Sequence, residues 1–307
     1  MKPTIHLAGA IDARYLPHAA TLLASLAAHH VSTMLSYNLL HTSSTPADKL
    51  EVLGQWWSKL GHELRLHPLD ESRFAGLNTP SYFHPVVWGR IFLPEILADL
   101  DKVLYLDSDI VAADSLDELW AAELGDYYLA AVTNPFGPKS RAPRWPIDIG
   151  LPNMGSYFNS GVMLMNLAQM RRDMTIERIV VHGATPIERL PYPDQDALNL
   201  ALRGRWLHLH PRWNMQNAIL ESEDYNNVFD PVALRESRIT PALIHFEGPA
   251  FLKPWDVRCP HPFASLYRKH RRQTPWPYYI PDGMLQKCLL SLTPAMIRSR
   301  LRALKAH

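Results

Sequence analysis

The sequence predicts an α/β fold, a mainly parallel, doubly wound sheet with helices on its faces, and three observations lead there. Apolar and β-branched runs of strand length alternate with amphipathic runs of helix length, the pattern that builds βαβ units. One apolar run, residues 102–106, leads straight into Asp107-Ser108-Asp109, at the strand end where open α/β sheets bind ligands. The chain has 307 residues, 47% hydrophobic and 20% charged, enough to bury a large core without covalent staples. That composition excludes a disordered, collagenous or disulfide-rich protein.

The elements follow in order. Residues 4–10 form a buried strand that carries His6 and runs into Asp12, too short and too polar for a signal peptide. Residues 17–29 form a helix with Pro17 in its first turn, and residues 31–40 a second strand. Thr45-Pro46-Ala47-Asp48 resembles a capping box opening a helix over 46–60, which Gly61 ends. Residues 63–69 alternate as a strand, 86–97 form a helix, and 102–106 a short strand. A helix over 115–120 has Asp114 placed to cap it. Residues 134–153 hold five prolines and no periodicity, which marks a binding loop or lid. Residues 157–166 return to strand, 167–182 to helix and 194–202 to a short helix, and the compact body ends near Trp255. No stretch of 18 apolar residues spans a membrane, and the two cysteines, Cys259 and Cys288, read as reduced thiols of a cytosolic protein.

Among 18 aspartates, roughly one Asp-x-Asp pair is expected by chance, and the chain has three. Asp99/Asp101 lies at a helix-to-strand junction, where acids are ordinary solvated turn residues. Asp107/Asp109 follows a strand, and two carboxylates there repel unless a cation offsets them. A hard divalent ion takes one or two carboxylates and completes its shell with water and substrate phosphates. Two enzyme classes fit: a metal site for the diphosphate of a nucleotide sugar, and the nucleophile motif of a haloacid-dehalogenase-like phosphatase. The phosphatase needs its motif at the first strand. Here it comes a hundred residues in, after two or three βα units.

Four ordered motifs decide between them. They are Asp101-Lys-Val-Leu-Tyr-Leu-Asp-Ser-Asp-Ile, Tyr157-Phe-Asn-Ser-Gly-Val-Met-Leu-Met-Asn166, Tyr192-Pro-Asp-Gln-Asp-Ala-Leu-Asn199 and Ile244-His-Phe-Glu-Gly-Pro-Ala-Phe-Leu-Lys-Pro-Trp255. Together they resemble the family 8 retaining glycosyltransferases, especially the bacterial lipopolysaccharide galactosyl- and glucosyltransferases, over about residues 4–256. The resemblance implies a Rossmann-like nucleotide-diphospho-sugar transferase fold of the GT-A type. It implies a catalytic domain over 1–256 and a basic C-terminal extension over 257–307. It also implies transfer of glucose or galactose from a UDP-hexose to a glycan or glycolipid acceptor, the lipopolysaccharide core, with Mn²⁺, or Mg²⁺ in its place.

Residue by residue, the resemblance makes Asp107, Asp109 and His245 the metal ligands. Ala10, Asp12 and Tyr15 match a uridine-binding segment, with Tyr15 stacking on the base and Asp12 bonding to it. Arg90 bridges diphosphate and sugar, Ser108 lies in the metal motif, Gly248 lets backbone approach the phosphates, and Lys253 adds charge to the β-phosphate. Asn159 faces the donor sugar with Asp194, Gln195 and Asp196, with Asp196 and Asn199 alternatively helix-start residues, a reading nearly equal for Asp196. Gln195 lies beneath the anomeric carbon as a poor nucleophile, which favours a front-face reaction, while Asp194 leaves double displacement open. Two departures stand out: Ala250-Phe251-Leu252 adds about two residues before Lys253, and Asn134 stands where related enzymes often carry an acid. Retention of every metal-ligand position argues against a non-catalytic sugar-binding protein.

The net charge of +1 hides an asymmetry. Residues 258–307 hold ten Lys/Arg against the single acid Asp282, a net +9, which leaves −8 on the rest. Met296, Ile297, Leu301 and Leu304 fall within an arc of about 140° on a last helix, with Arg298, Arg302 and Lys305 opposite. Trp276, Tyr278 and Tyr279 precede it. That pattern suits an anionic membrane face and predicts a cytoplasmic protein held peripherally at the inner side of the cytoplasmic membrane. No nucleic-acid recognition motif accompanies the charge.

Overall fold

The computed structural model describes residues 3–284 apart from 82, 137–142, 187–188, 222–227 and 249–251. Its strands are β1 (Thr4–Ile11), β2 (Met34–His41), β3 (Glu63–Pro68), β4 (Lys102–Leu106), β5 (Ile110–Ala112), β6 (Leu129–Thr133), β7 (Phe158–Asn166), β8 (Trp206–His208), β9 (Met215–Gln216) and β10 (Leu243–His245). Seven of them form one sheet in the order β3-β2-β1-β4-β7-β6-β8, and the other three a small sheet in the order β5-β10-β9. β1 runs parallel to β2 and β4, β2 to β3, and β6 to β8; only β7 is antiparallel to its neighbours in the large sheet.

Both faces of the large sheet are covered, which is why its central strands are apolar throughout rather than alternating. On β4 and β7, Leu104, Leu106, Val162 and Leu164 join the core beneath the Leu16–Ala27 helix, while Val103, Tyr105, Met163 and Met165 join the core on the opposite face. The chain leaves the large sheet at Leu106 and enters the small one at Ile110. Asp107, Ser108 and Asp109 are the whole of that crossing, so both carboxylates sit at the seam between the sheets.

Several local expectations are corrected. The helix Ala47–Lys59 has Pro46 at its cap position with no side-chain cap bond, so the capping box at Thr45 does not form. The helix expected over 86–97 is a 3₁₀ segment, Pro85–Phe92, followed by one turn, Leu93–Ile96. Pro94 has no N–H to bond the Arg90 carbonyl, and Leu93 takes that carbonyl with 3₁₀ spacing instead. The helix expected over 167–182 breaks into Leu167–Arg172 and Thr175–Gly183 at Met174, whose φ is 46°. Asp114 does not cap a helix; it accepts from Ser115 N–H and pairs with Arg212, while Ser115 Oγ accepts from Asp117 N–H. Asp99 and Asp101 are surface partners of Arg65 and Arg171.

Within the proline-rich stretch, Trp145–Asp148 forms a helical turn, and residues 137–142 lie outside the described residues. The compact body does not end near Trp255: the helix Ala264–Arg271 packs on Leu16–Ala27 through buried Tyr267, whose hydroxyl lies 2.6 Å from His18 Nδ1, and Trp276 and Tyr279 pack against the same core. Cys259 is a free thiol. Residues 285–307, with Cys288 and the amphipathic segment, lie outside the described residues. Among the described residues no helix is long and apolar enough to cross a membrane.

Candidate active site

The seam gathers three ligand-bearing side chains. β10 pairs antiparallel with β5, setting His245 opposite Ile110, and Phe246 N–H donates to the Asp109 carbonyl at 3.0 Å. His245 is thereby fixed beside the carboxylates: its Nε2 is 3.3 Å from Asp109 Oδ1 and 4.0 Å from Asp107 Oδ2. One ligand atom from each of Asp107, Asp109 and His245 lies within 4.8 Å of the others. Asp109 and His245 are buried and Asp107 is partly open. Two carboxylates and an imidazole form a donor set that suits a divalent ion accepting both oxygen and nitrogen.

Cations already balance this cluster. Lys253 Nζ donates to Asp109 Oδ2 and to the Phe246 carbonyl. Burial opposes the charge on Asp109, but Lys253 and His245 outweigh it and hold that carboxyl well below the usual range. Burial likewise opposes a charged His245, yet Asp109 and Asp107 raise its pKa above the ordinary value. Arg90, buried on the 3₁₀ segment, places an Nη 3.0 Å from Asp107 Oδ1 and donates its other Nη to the Ser160 carbonyl and hydroxyl. Its Nε lies 3.1 Å from Asp194 Oδ2 but directs its N–H to the Val87 carbonyl. Asp194 is therefore attracted by Arg90 without that bond, and burial pushes its pKa up.

Asp194 and Gln195 stand in the first turn of the helix Pro193–Ala201, against β7. Gln195 Oε1 accepts from Ser160 N–H at 2.9 Å, and its Nε2 donates to the Tyr157 hydroxyl at 3.1 Å. The amide is held at both ends. Lys253, Arg90, Asp194 and Gln195 thus adjoin the carboxylates or the strand beside them.

Residues 6–259 match the sequence family described as glycosyl transferase family 8. The chain belongs to that family. It is 27% identical over 279 residues to the lipopolysaccharide 1,2-glucosyltransferase of Escherichia coli, covering 90% of this chain and 80% of that one. General stress protein A of Bacillus subtilis is 25% identical over 277 residues, covering 89% and 94%. The crystal structure of the galactosyltransferase LgtC with donor and acceptor sugar analogues superposes with a TM-score of 0.77 at 26% identity. That match covers 92% of this chain and all of the other. The fold is the GT-A type of glycosyltransferase.

Other residues singled out in the sequence of this family 8 protein have mixed placements. Tyr15 meets Trp255 edge-on with ring centroids 5.9 Å apart, and Trp255 stacks on His18 at 3.6 Å. Ala10 lies against the 3₁₀ segment at Gly89. The Asp12 carboxylate accepts from the N–H groups of Arg14 and Tyr15 and from the Arg14 guanidinium, so its own turn uses it. Ser108 is buried, and its hydroxyl has no partner among the described residues. Gly248 has φ 86°, a conformation side chains rarely adopt. Asn159 donates to Asn134 Oδ1 and accepts from Gly161 N–H and Asn214 Nδ2, which leaves it one N–H. Asp196 accepts from Trp145 Nε1, the Tyr157 hydroxyl and Tyr192 N–H, while Asn199 clamps the backbone of Phe158.

Three neighbours escaped the sequence reading. Tyr105 donates to Asp107 Oδ1 at 2.9 Å. Asn214 Oδ1 lies 3.0 Å from His245 Nδ1. Gly161 passes so close that a Cβ there would lie 2.3 Å from His245 Cε1 and 2.9 Å from Asp107 Oδ2. Gly161 lies within the motif at 157–166; Asn214, in Pro211-Arg-Trp-Asn214, lies in none of the four motifs.

Proposed function

We propose that this family 8 glycosyltransferase moves glucose or galactose, with retention of configuration, from a UDP-hexose to a glycan acceptor of the lipopolysaccharide core type. The observation that carries the reading is the convergence of Asp107, Asp109 and His245 within 4.8 Å at the seam. These three would hold Mn²⁺, or Mg²⁺ in its place. When bound, the ion supplies neutralisation of charge on the diphosphate leaving group.

The chain's own groups supply the rest of the chemistry. Tyr15, backed by Trp255, would carry the uracil ring, with Ala10 and Asp12 lining it. The Gly248 backbone would approach the phosphates, the Ser108 hydroxyl would meet the ligand, and Lys253 would donate to the β-phosphate. Arg90 would span diphosphate and sugar, a fixed cation in a water-poor site that costs little reorganisation as charge develops. Asn159 would offer its remaining N–H to the sugar, and Gln195 would stand beneath the anomeric carbon with its amide locked by Ser160 and Tyr157. An amide so placed stabilises positive charge on the sugar better than it attacks carbon. Asp194, next to Arg90, is the candidate nucleophile of the two-step alternative.

Residues 134–153 would cover the donor and exclude water, which otherwise turns transfer into hydrolysis. Residues 1–256 would be the catalytic unit. Within the extension 257–307, the residues beyond the packed Ala264–Arg271 helix would bind an anionic membrane surface, which keeps the protein at the cytoplasmic face near a glycolipid acceptor. A donor screen by UDP release with Mn²⁺ present tests the reading. UDP release from UDP-glucose or UDP-galactose that stops in chelator is expected; activity on neither, or full activity in chelator, refutes it.

A further inference from the structure

We propose that the backbone N–H of Gly161 sets the tautomer of His245 through Asn159 and Asn214, and that these two amides are positioning residues for the Asp107–Asp109–His245 cluster. A backbone N–H can only donate, so the Asn159 atom 3.0 Å from it is the carbonyl Oδ1. The same Oδ1 lies 2.9 Å from one end of the Asn214 amide, and an acceptor there requires that end to be Nδ2. The other end of Asn214 is then Oδ1, which faces His245 Nδ1 at 3.0 Å. An acceptor facing Nδ1 places the proton on Nδ1. In the neutral ring Nε2 is left with its lone pair, aimed at the space beside Asp109 Oδ1 and Asp107 Oδ2.

Along the two amides the polarity has one source; the competing acceptors are the Asp109 and Asp107 oxygens beside Nε2, whose negative charge a bound divalent ion would offset. Asn159, Asn214 and His245 are 5%, 0% and 4% exposed, so water does not compete for these bonds and a flipped amide would bury mismatched groups. Gly161 also accepts the Asp107 N–H through its carbonyl at 2.8 Å. One residue without a side chain thus holds a carboxylate in place and orients the imidazole beside it. Asn159 Nδ2 extends the chain to Asn134 Oδ1, at the start of the proline-rich stretch.

The consequence for metal affinity rests on the metal role proposed for the cluster; the tautomer does not. The test is nitrogen NMR of the full-length, metal-free protein labelled with ¹⁵N-histidine, in the neutral ring, with His245→Gln to assign the signal. Wild type is expected as the Nδ1–H tautomer. Asn214→Leu, which can neither donate nor accept, should lose it, and Asn214→Asp, which keeps an acceptor before Nδ1, should retain it. An Nε2–H ring in wild type, or an unchanged ring in Asn214→Leu, overturns the proposal. In parallel, Mn²⁺ titration followed by electron paramagnetic resonance should show about 10–100-fold weaker binding in Asn214→Leu. Equal binding overturns the positioning role. A wild type with the Nδ1–H ring that takes up no Mn²⁺ supports the relay and refutes only the metal reading.

Discussion

Lys253 rests its ammonium group on Oδ2 of Asp109, while Oδ1 of that carboxylate faces His245 Nε2 at 3.3 Å. The lysine comes from beyond β10 and the aspartate from the crossing between β4 and β5, 144 residues apart in sequence. Both side chains are about 12% exposed, so the pair is screened little by solvent. In the protein alone Lys253 is the counterion of Asp109; a bound diphosphate would offer it a second anionic partner.

Lys253→Met should therefore lower stability in the absence of metal, by about 3 kcal/mol, because it strands a buried carboxylate. Mn²⁺ should then raise the melting temperature of the variant more than that of wild type. Thermal denaturation with and without the ion measures both, and an unchanged metal-free melting temperature would contradict the pairing.

Gly161→Ala places a methyl group 2.3 Å from His245 Cε1 and 2.9 Å from Asp107 Oδ2. Overpacking of this kind costs about 1–3 kcal/mol, and here the yielding groups are the candidate ligands themselves. The variant should fold, as circular dichroism would report, and bind Mn²⁺ at least tenfold more weakly. Wild-type Mn²⁺ affinity would show that the close approach has no consequence.

Asp109→Asn removes one ligand charge at constant shape and should lower transfer by on the order of 10³-fold. Gln195→Ala should cost less, because on a front-face route it only supports a cation-like sugar. Anomeric analysis of the product separates the schemes: inversion would rule out the proposed reaction, and retention that survives Asp194→Asn would favour the front-face route. Release of inorganic phosphate from simple phosphomonoesters, abolished by Asp107→Asn alone, would point to a phosphatase.

Asp196 gives stability a specific pH dependence. Burial raises its carboxyl pKa from 3.8 to about 7, even though Trp145, Tyr157 and Tyr192 N–H all donate to it. Between those values the folded chain holds a proton that the unfolded chain has released. The contribution of this group is therefore fully present below pH about 4 and is lost as pH rises to about 7, a loss of about 4 kcal/mol. Asp196→Asn should remove that slope, so urea denaturation across this window should give stability curves that diverge from wild type. Parallel curves would show that Asp196 titrates normally.

Deleting residues 285–307 removes five of the ten Lys/Arg that follow residue 257. Each basic residue near an anionic surface contributes about 1 kcal/mol, less at high salt. The truncated chain should leave anionic vesicles in a flotation assay while transferring sugar to a soluble acceptor at the wild-type rate. Equal flotation would remove the tail from the membrane reading.

Strand positions were legible where the local pattern was strong: β1, β4 and β7 are apolar runs with clear ends, and the fold class followed from their alternation with helices. Breaks were less legible. Pro94 removed the α-helical bond to the Arg90 carbonyl at the end of the 3₁₀ run, and the left-handed Met174 split a helix whose periodicity had no visible gap. Asp196 and Gln195 are neighbours in one motif and share the Tyr157 hydroxyl, yet the helix gives the first Trp145 and the second Ser160 as a further partner.

By itself the sequence determined the family, through four ordered motifs that include an Asp-x-Asp at a strand end and a histidine before Gly248. Those are properties of residue type and local spacing, and local spacing is written directly in the chain. Tertiary structure decided what surrounds them. Asn214 reaches His245 only because β9 runs parallel to β10, and Gly161 meets Asp107 only because β7 lies antiparallel beside β4. Such contacts join residues 31 and 54 positions apart. They are set by sheet pairing and burial, where excluding water turns each hydrogen bond into a constraint on orientation, and no local pattern in the chain encodes them.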